Sequence, residues 1–341
     1  DTGRVVVRGR DVTGLPPGQR RVSMVFQASA LIPFLDVSRN LGWGLRTRGV
    51  PEPEVKDRVG DRVRQLRLGR LLSRKPAQLS GGERGLVGVG HALVQTPDVF
   101  LLDEPLGDLD AAQRTQVRRQ IVDAVRSLGV TTVYVTHDQA EGLAVADRVA
   151  LLHEGAVVQV GSPRDLYDRP ADLLVAGSVG SPLIGLLPAR LVVADGLAGF
   201  TVGTRTLPLW RPVPPPLRES VGRGVILGLR AEDVHDASVG HDQDSVALDA
   251  AVTDVEFCGG HTVVTVVVGG AAGRVPSAVP PQGGSAVATL RARFPARSGV
   301  RLGDAVRIAV EAGRAHVFDA VTGIALWHPD GDRPSTGDEA P

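Results

Sequence analysis

The sequence predicts an α/β domain organised on a parallel sheet, followed by a small all-β domain. Three observations carry this. The 341 residues exceed what one average domain needs. In the first half, short apolar runs alternate with amphipathic helical stretches, the order that gives strand–helix–strand crossovers. After about residue 185 Gly, Pro and Val rise and strand patterns dominate.

"MVFQ" (24–27) ends a strand. "DVSRNLGWGLRTRG" (36–49) and "PEPEVKDRVGDRVRQLRL" (51–68) read as helices. The second opens on prolines and acids and carries Val55, Val59, Val63 and Leu66 at helical spacing. "VGVGHALVQ" (87–95) is expected to be the helix that the preceding Ser-Gly-Gly loop opens. "DVFLLDEP" (98–105) is a buried parallel strand ended by two carboxylates. "DAAQRTQVRRQIVDAVRSLG" (110–129) is an amphipathic helix with Val117, Ile121, Val125 and Leu128 on one face and Gly129 as its stop. "VTTVYVTHD" (130–138) is the next strand and "QAEGLAVADR" (139–148) a helix. Residues 98–138 thus form a crossover unit whose two strands run parallel. Their carboxyl ends share the sheet edge where open α/β sheets bind ligands, which puts Asp103 and Glu104 near His137.

Beyond this, "GVILGLR" (224–230), "HTVVTVVV" (261–268), "SAVATLRARF" (285–294) and "AVRIAV" (305–310) are strands of a barrel or sandwich, and "VPPPLRE" (213–219) is a loop. The tail "HPDGDRPSTGDEAP" (328–341) has too little apolar content to order itself.

Composition narrows the function. Lys+Arg and Asp+Glu each number 38, so no electrostatic footprint supports a nucleic-acid partner. The one cysteine, Cys258, has no internal disulfide partner, which suits a reducing compartment. No apolar run reaches the ~18–20 residues of a membrane helix, and no signal peptide is visible. A soluble protein is expected. The first residue is Asp1 and the only methionine is Met24.

The chemistry-bearing residues come in a set order. "LSGGERG" (79–85) is a loop of small residues entering a helix, which presents backbone N–H groups and a hydroxyl to an anion. Its usual companion, G-x-x-x-x-G-K-[ST], needs a Gly-Lys pair. Lys56 and Lys75, the only lysines, follow Val55 and Arg74, so the chain has none. A strand ending in Asp103-Glu104 can direct its Asp toward Mg²⁺ and its Glu toward an attacking water; it also reads as a solvated turn before Pro105. His137, at a strand end, reads as a site residue or as an ordinary surface histidine. Asp110, in "LGDLDA", reads as a site residue or as the cap of its helix, and Gln27 as a site residue or a surface amide.

In order along the chain, these features closely resemble the ATP-binding subunits of ABC transporters, nearest the carbohydrate importer type. "MVFQASALIP" resembles their Q-loop and "LSGGER" their signature. "VFLLDEP" resembles their Walker B strand, "LGDLDA" their D-loop and "VTHDQAEG" their switch-histidine segment. "VVQVGSPRDLYDRPADLLVAGSVGSP" (157–182) is similar to the exit from their nucleotide domain. "GLRAEDV" (228–234) and "HVFDAVTGIAL" (316–326) are similar to the regulatory domain that follows.

The resemblance implies a P-loop-NTPase-like core over 1–182, with a helical subdomain at about 33–95, then an OB-like regulatory domain over 183–327 and a disordered tail over 328–341. It implies ATP and Mg²⁺ as cofactors. Gln27 would sense the γ-phosphate and the attacking water, Asp103 would hold Mg²⁺, Glu104 would be the general base and His137 would contact the γ-phosphate. Asp110 falls in the D-loop. Leu79, Ser80, Gly81, Gly82 and Glu83 form the signature, which serves the nucleotide of the other subunit in a head-to-tail homodimer. The implied partners are two membrane permease subunits and, indirectly, an extracytoplasmic solute-binding protein, with no nucleic acid. The implied location is peripheral, on the cytoplasmic face of the cell membrane.

The resemblance also places Asp1 just after a P-loop helix, with about 50 residues of the family pattern ahead of it. On that expectation the 341 residues do not bind ATP tightly by themselves. The chain departs from the family pattern at Glu83, usually Gln, and at Gly85, Leu86 and His91, which stand for Gln and two Arg. "PLIGLL" replaces a more usual Met-Asn-Phe at the domain exit. Two alternatives are also compatible with the sequence: a regulatory or degraded subunit that does not hydrolyse ATP, and an ABC ATPase outside any transporter. The transported solute is not named by the sequence.

Overall fold

The computed structural model describes residues 2–26, 31–107, 109–239, 245–269 and 289–329. The chain divides into two compact units, Asp1–Ala146 and Asp147–Pro341.

The first unit begins with a small ladder, β1 (Val6–Val7) against β2 (Arg10–Asp11). Then come β3 (Val22–Val25), α1 (Val37–Arg46), α2 (Glu52–Gln65), α3 (Gly81–Leu93), β4 (Val99–Asp103), α4 (Ala111–Leu128), β5 (Thr131–Val135) and α5 (Gln139–Val145). The strands β3, β4 and β5 form a parallel sheet in that order, with Val25 opposite Leu102 and Asp103 opposite Val135. The expected crossover from β4 through α4 to β5 is present. The helices α1 to α4 turn their apolar stripes to a common core. Val37, Leu41 and Leu45 of α1, Val55 and Val59 of α2, and Val87, Val89 and Leu93 of α3 are buried there, with Phe100 and Leu102 of β4 and Val117 and Ile121 of α4.

The helix after the Ser-Gly-Gly loop starts six residues earlier than the expected residue 87, at Gly81. A capping box sets this start: the Ser80 hydroxyl accepts the Glu83 N–H at 3.2 Å and the Glu83 carboxylate accepts the Ser80 N–H at 3.1 Å. Two glycines let α3 pack closely. A Cβ on Gly90 would lie 3.0 Å from Leu41, and one on Gly82 would lie 3.3 Å from Val117 of α4.

The second unit holds the antiparallel hairpin β6 (Val149–His153) and β7 (Ala156–Gly161), the short helices α6 (Pro163–Asp168) and α7 (Leu173–Ser178), and two larger sheets. The six-stranded sheet contains β8 (Gly185–Ala194), β9 (Leu197–Val202), β10 (Arg205–Pro208), β11 (Gly224–Leu229), β17 (His316–Asp319) and β18 (Ala325–Trp327), in the order β10-β9-β8-β11-β17-β18. The other sheet closes into a five-stranded barrel of β12 (Val234–Asp236), β13 (Val246–Phe257), β14 (His261–Val268), β15 (Thr289–Pro295) and β16 (Ala305–Val310), in the order β12-β15-β14-β13-β16. The inner faces of sheet and barrel share one core, including Leu187, Phe200, Leu227, Val264, Leu290, Ile308 and Val317.

The two compact units divide at 146/147, inside the 1–182 span that the sequence reading gave the first domain. The intervening segment packs within the second unit: Leu173 and Ala176 of α7 bury against Ile226 and Phe318, and Arg230 donates to the Tyr167 carbonyl at 2.8 Å. The stretch 213–219, read as a loop, contains a 3₁₀ turn at Pro215–Ser220 that buries Leu217. His328, counted with the tail in the sequence reading, joins the fold, its Nδ1 lying 3.0 Å from His316 Nδ1; the expectation for residues from 330 on lies outside the described residues.

Candidate functional site

The carboxyl edge of the parallel sheet gathers three of the sequence-designated residues. Asp103 ends β4, and Glu104 follows it with φ +45°, a left-handed conformation that is uncommon for a side-chain-bearing residue and further disfavoured before Pro105. Such strain persists only where neighbours fix it, and it concentrates at functional sites. Here the Glu104 N–H donates to the Val135 carbonyl at 2.9 Å, and its carbonyl accepts from Gly107 at 3.2 Å. The turn aims the Glu104 carboxylate at the end of β5, where its Oε1 lies 3.1 Å from His137 Nδ1. The His137 ring is 74% exposed while the Glu104 side chain is 29% exposed, so the acid is sheltered and the imidazole faces solvent. A carboxylate and an imidazole in contact at an open edge can take a proton from a water and orient it.

Behind His137 lies a polar framework that the sequence reading did not foresee. Asp138 caps α5 by accepting the Glu141 N–H at 3.0 Å, and its second oxygen accepts from Arg114 Nη1 at 2.9 Å. Arg114 also donates to the Leu109 carbonyl at 3.1 Å, tying the "LGDLDA" segment to the histidine segment. Glu141 is buried, and accepts hydrogen bonds from the Tyr134 hydroxyl and, at 3.3 Å, the Thr136 hydroxyl. Burial first, and then that carboxylate, push the Tyr134 phenol well above its usual range. The D-x-x-E spacing of 138–141 was the available signal. Asp110 caps α4, accepting the Gln113 N–H at 3.0 Å.

The Ser-Gly-Gly loop forms a separate part of the same unit. Leu79 is buried, Ser80 and Gly81 are exposed at the N-terminus of α3, and Gly82 is buried against α4. Glu83 sits between two arginines, 3.2 Å from Arg70 Nη2 and 3.6 Å from Arg74 Nη1. Neither arginine was singled out from sequence. A cavity of about 200 Å³ opens beside this turn, lined by Arg70, Ser80, Gly82, Glu83, Gln113 and Gln116 among others. At the departures, Leu86 is buried, burial holds the His91 imidazole below its usual range, and a Cβ on Gly85 would lie 3.6 Å from the Pro105 carbonyl. Gln27 lies outside the described residues.

For a divalent cation the donor set is spare. Among the described residues no group of three or more His, Cys, Asp or Glu side chains could hold a metal ion. Mg²⁺ keeps several waters and phosphate oxygens and needs only one or two carboxylates from a protein; Asp103 stands at the end of β4. No helix among the described residues is long and apolar enough to cross a membrane.

Residues 1–107 match the family described as ABC transporter. The sn-glycerol-3-phosphate import ATP-binding protein UgpC of Cereibacter sphaeroides is 39% identical over 324 residues, which cover 95% of this chain and 84% of that protein. The trehalose/maltose import ATP-binding protein MalK of Thermococcus litoralis is 39% identical over 92% of this chain and 80% of its own length. The diacetylchitobiose uptake system ATP-binding protein MsiK of Streptomyces coelicolor is 38% identical over 95% and 84%. On this extent of similarity, and with the acid and histidine of the family pattern in contact at the sheet edge, the chain belongs to the ATP-binding subunits of ABC transporters.

Proposed function

We propose that this protein is the ATP-hydrolysing subunit that energises an ABC importer for a sugar or sugar-like solute. The observation that carries the reading is the 3.1 Å contact between Glu104 and His137 at the carboxyl edge of the parallel sheet. Glu104 takes the proton of the attacking water, and its left-handed backbone holds the carboxylate toward that water. His137 orients the water and contacts the γ-phosphate, and Arg114 and Asp138 hold its segment in place. Asp103 is the Mg²⁺ ligand; the ion neutralises charge on the phosphates when bound. Gln27, as the family resemblance implies, senses the γ-phosphate.

Ser80, Gly81 and Gly82 dock the nucleotide of a second copy, so the working form is a head-to-tail homodimer. ATP-driven closure of that dimer moves two membrane permease subunits, which places the protein peripherally on the cytoplasmic face of the membrane. The solute class comes from the relatives, whose names specify import of glycerol phosphate, trehalose or maltose, and uptake of diacetylchitobiose. A solute-binding protein delivers that solute on the opposite face. The test is ATP turnover of the subunit assembled with its permeases in proteoliposomes. Addition of the sugar-loaded binding protein is expected to raise turnover; equal rates with and without it would contradict coupling to import.

A further inference from the structure

Glu83 brings a negative charge to a loop whose task, on the reading above, is to receive a phosphate. Its carboxylate is one hydrogen bond from Ser80, accepting that residue's N–H at 3.1 Å. Glutamine performs the same capping-box role without the charge. The cap therefore does not require a carboxylate, and the charge repels any anion that docks on the turn. Each carboxylate oxygen faces a guanidinium: Oε1 lies 3.2 Å from Arg70 Nη2 and Oε2 lies 3.6 Å from Arg74 Nη1. The backbone at both arginines is anchored, while their side chains reach out to Glu83 from the surface. Arg70 sits in the 3₁₀ turn Gly69–Leu71, and the Arg74 carbonyl accepts the Val37 N–H at 2.9 Å. Ion pairs to arginines this exposed contribute little to stability. Two positive charges around one negative charge leave a net positive cluster beside the Ser80 turn.

We propose that Arg70 and Arg74 are positioning residues that neutralise Glu83, so that the Ser80–Gly82 turn accepts the phosphate of the partner subunit's nucleotide. The assignment rests on the signature reading of that turn. It predicts that the arginines matter only while residue 83 is charged.

The experiment measures ATP turnover in four forms of the intact ATPase: wild type, Arg70→Ala/Arg74→Ala, Glu83→Gln, and the triple variant. The double arginine variant is expected to lose about tenfold in kcat at low salt, with a loss that shrinks as salt rises from about 50 to about 500 mM and screens the repulsion. The triple variant is expected to match Glu83→Gln to within about twofold, since no charge then remains to neutralise. Wild-type turnover in the double arginine variant overturns the proposal. So does a loss that persists unchanged with Gln at 83, or one that salt does not alter, because a folding defect behaves in that way. A Ser80→Ala control separates the two levels of failure. If Ser80→Ala lowers turnover while the arginines have no effect, only this proposal falls; if Ser80→Ala has no effect, the signature reading falls with it.

Discussion

Acidification is expected to weaken the second unit through its buried histidine pair. His316 and His328 face each other at 3.0 Å between their Nδ1 atoms, beside Phe318. Burial, then Arg230 and then His328 push the His316 imidazole down to about 3. Burial, then Arg169, pushes His328 down to about 4. Both are neutral in the fold, whereas each takes a proton near the ordinary 6.5 once the chain unfolds. The unfolded state therefore binds more protons between these values, and stability is full above about 6.5 and falls as pH drops toward 4. From about pH 7.5 to about pH 5 each histidine spans about 1.5 pH units of that window, or about 2 kcal/mol; allowing for the partial exposure of His328, the pair contributes a loss of about 3 kcal/mol. Asp233 works in the opposite direction. Burial first, and Glu232 next, raise its carboxyl to about 6, so its contribution is lost as pH rises and returns on acidification. Discounted for its exposure, it restores about 1 kcal/mol over the same interval. The net loss is about 2 kcal/mol, a fall of about 4–8 °C in the unfolding midpoint for a unit of this size. Trp327, buried next to His328, reports on this region once the exposed Trp43 and Trp210 are replaced by Phe. In that background the wild-type midpoint should fall between the two pH values, and His316→Phe/His328→Phe should remove the fall or reverse it slightly. An unchanged acid loss in the double variant would refute the reasoning.

Three further outcomes are expected. Gly82→Ala places a Cβ 3.1 Å from Gln113 Oε1 and 3.3 Å from Val117. About 1–3 kcal/mol of overpacking exceeds the ~1 kcal/mol gained in helix propensity, so urea unfolding of the first unit should show a net loss of about 1 kcal/mol. Arg114→Ala removes the link between the Leu109 carbonyl and Asp138; it should lower kcat for ATP with KM little changed and cost about 1–3 kcal/mol, and a KM effect alone would contradict its role behind His137. For action in trans, Gly81→Asp, which sets a carboxylate where a phosphate docks, should abolish hydrolysis alone. Mixed with a subunit that has an intact signature but cannot hold ATP, it should trap one nucleotide per dimer; trapping that requires both functions within one subunit would exclude the head-to-tail arrangement.

The parallel sheet and its edge were legible because the signals there are strong and local. An apolar run ending in Asp103-Glu104, an 18-residue amphipathic helix and "VYVTHD" fix both strand ends, and with them the meeting of Glu104 and His137. The left-handed turn at Glu104 was not legible, since nothing in a Glu-Pro pair prescribes it and the Val135 carbonyl that fixes it comes from another strand. Arg70, Arg74 and Arg114 were not legible for a related reason: in an arginine-rich chain, only tertiary contacts show which arginines pair with Glu83 and Asp138. In the second unit, the hairpin between β8 and β9 turns on Asp195-Gly196, with φ +53° and +77°. That dipeptide is a turn signal the sequence carries. The flanking strands were passed over because they are buried on both faces in part and lack clean alternation. The boundary near residue 147 was hidden because the family resemblance runs on to residue 182, while the apolar face of α7 finds its partners in β11 and β17.

The most direct measurement is ATP binding and turnover of Glu104→Gln in the intact subunit. The amide keeps the size and the hydrogen-bonding capacity toward His137 but cannot take a proton. The account predicts that ATP affinity stays at the wild-type value, that hydrolysis falls by ~10²–10⁴-fold, and that unhydrolysed ATP holds the subunits together as a dimer in size exclusion. Wild-type turnover by Glu104→Gln would place the base elsewhere and contradict the account.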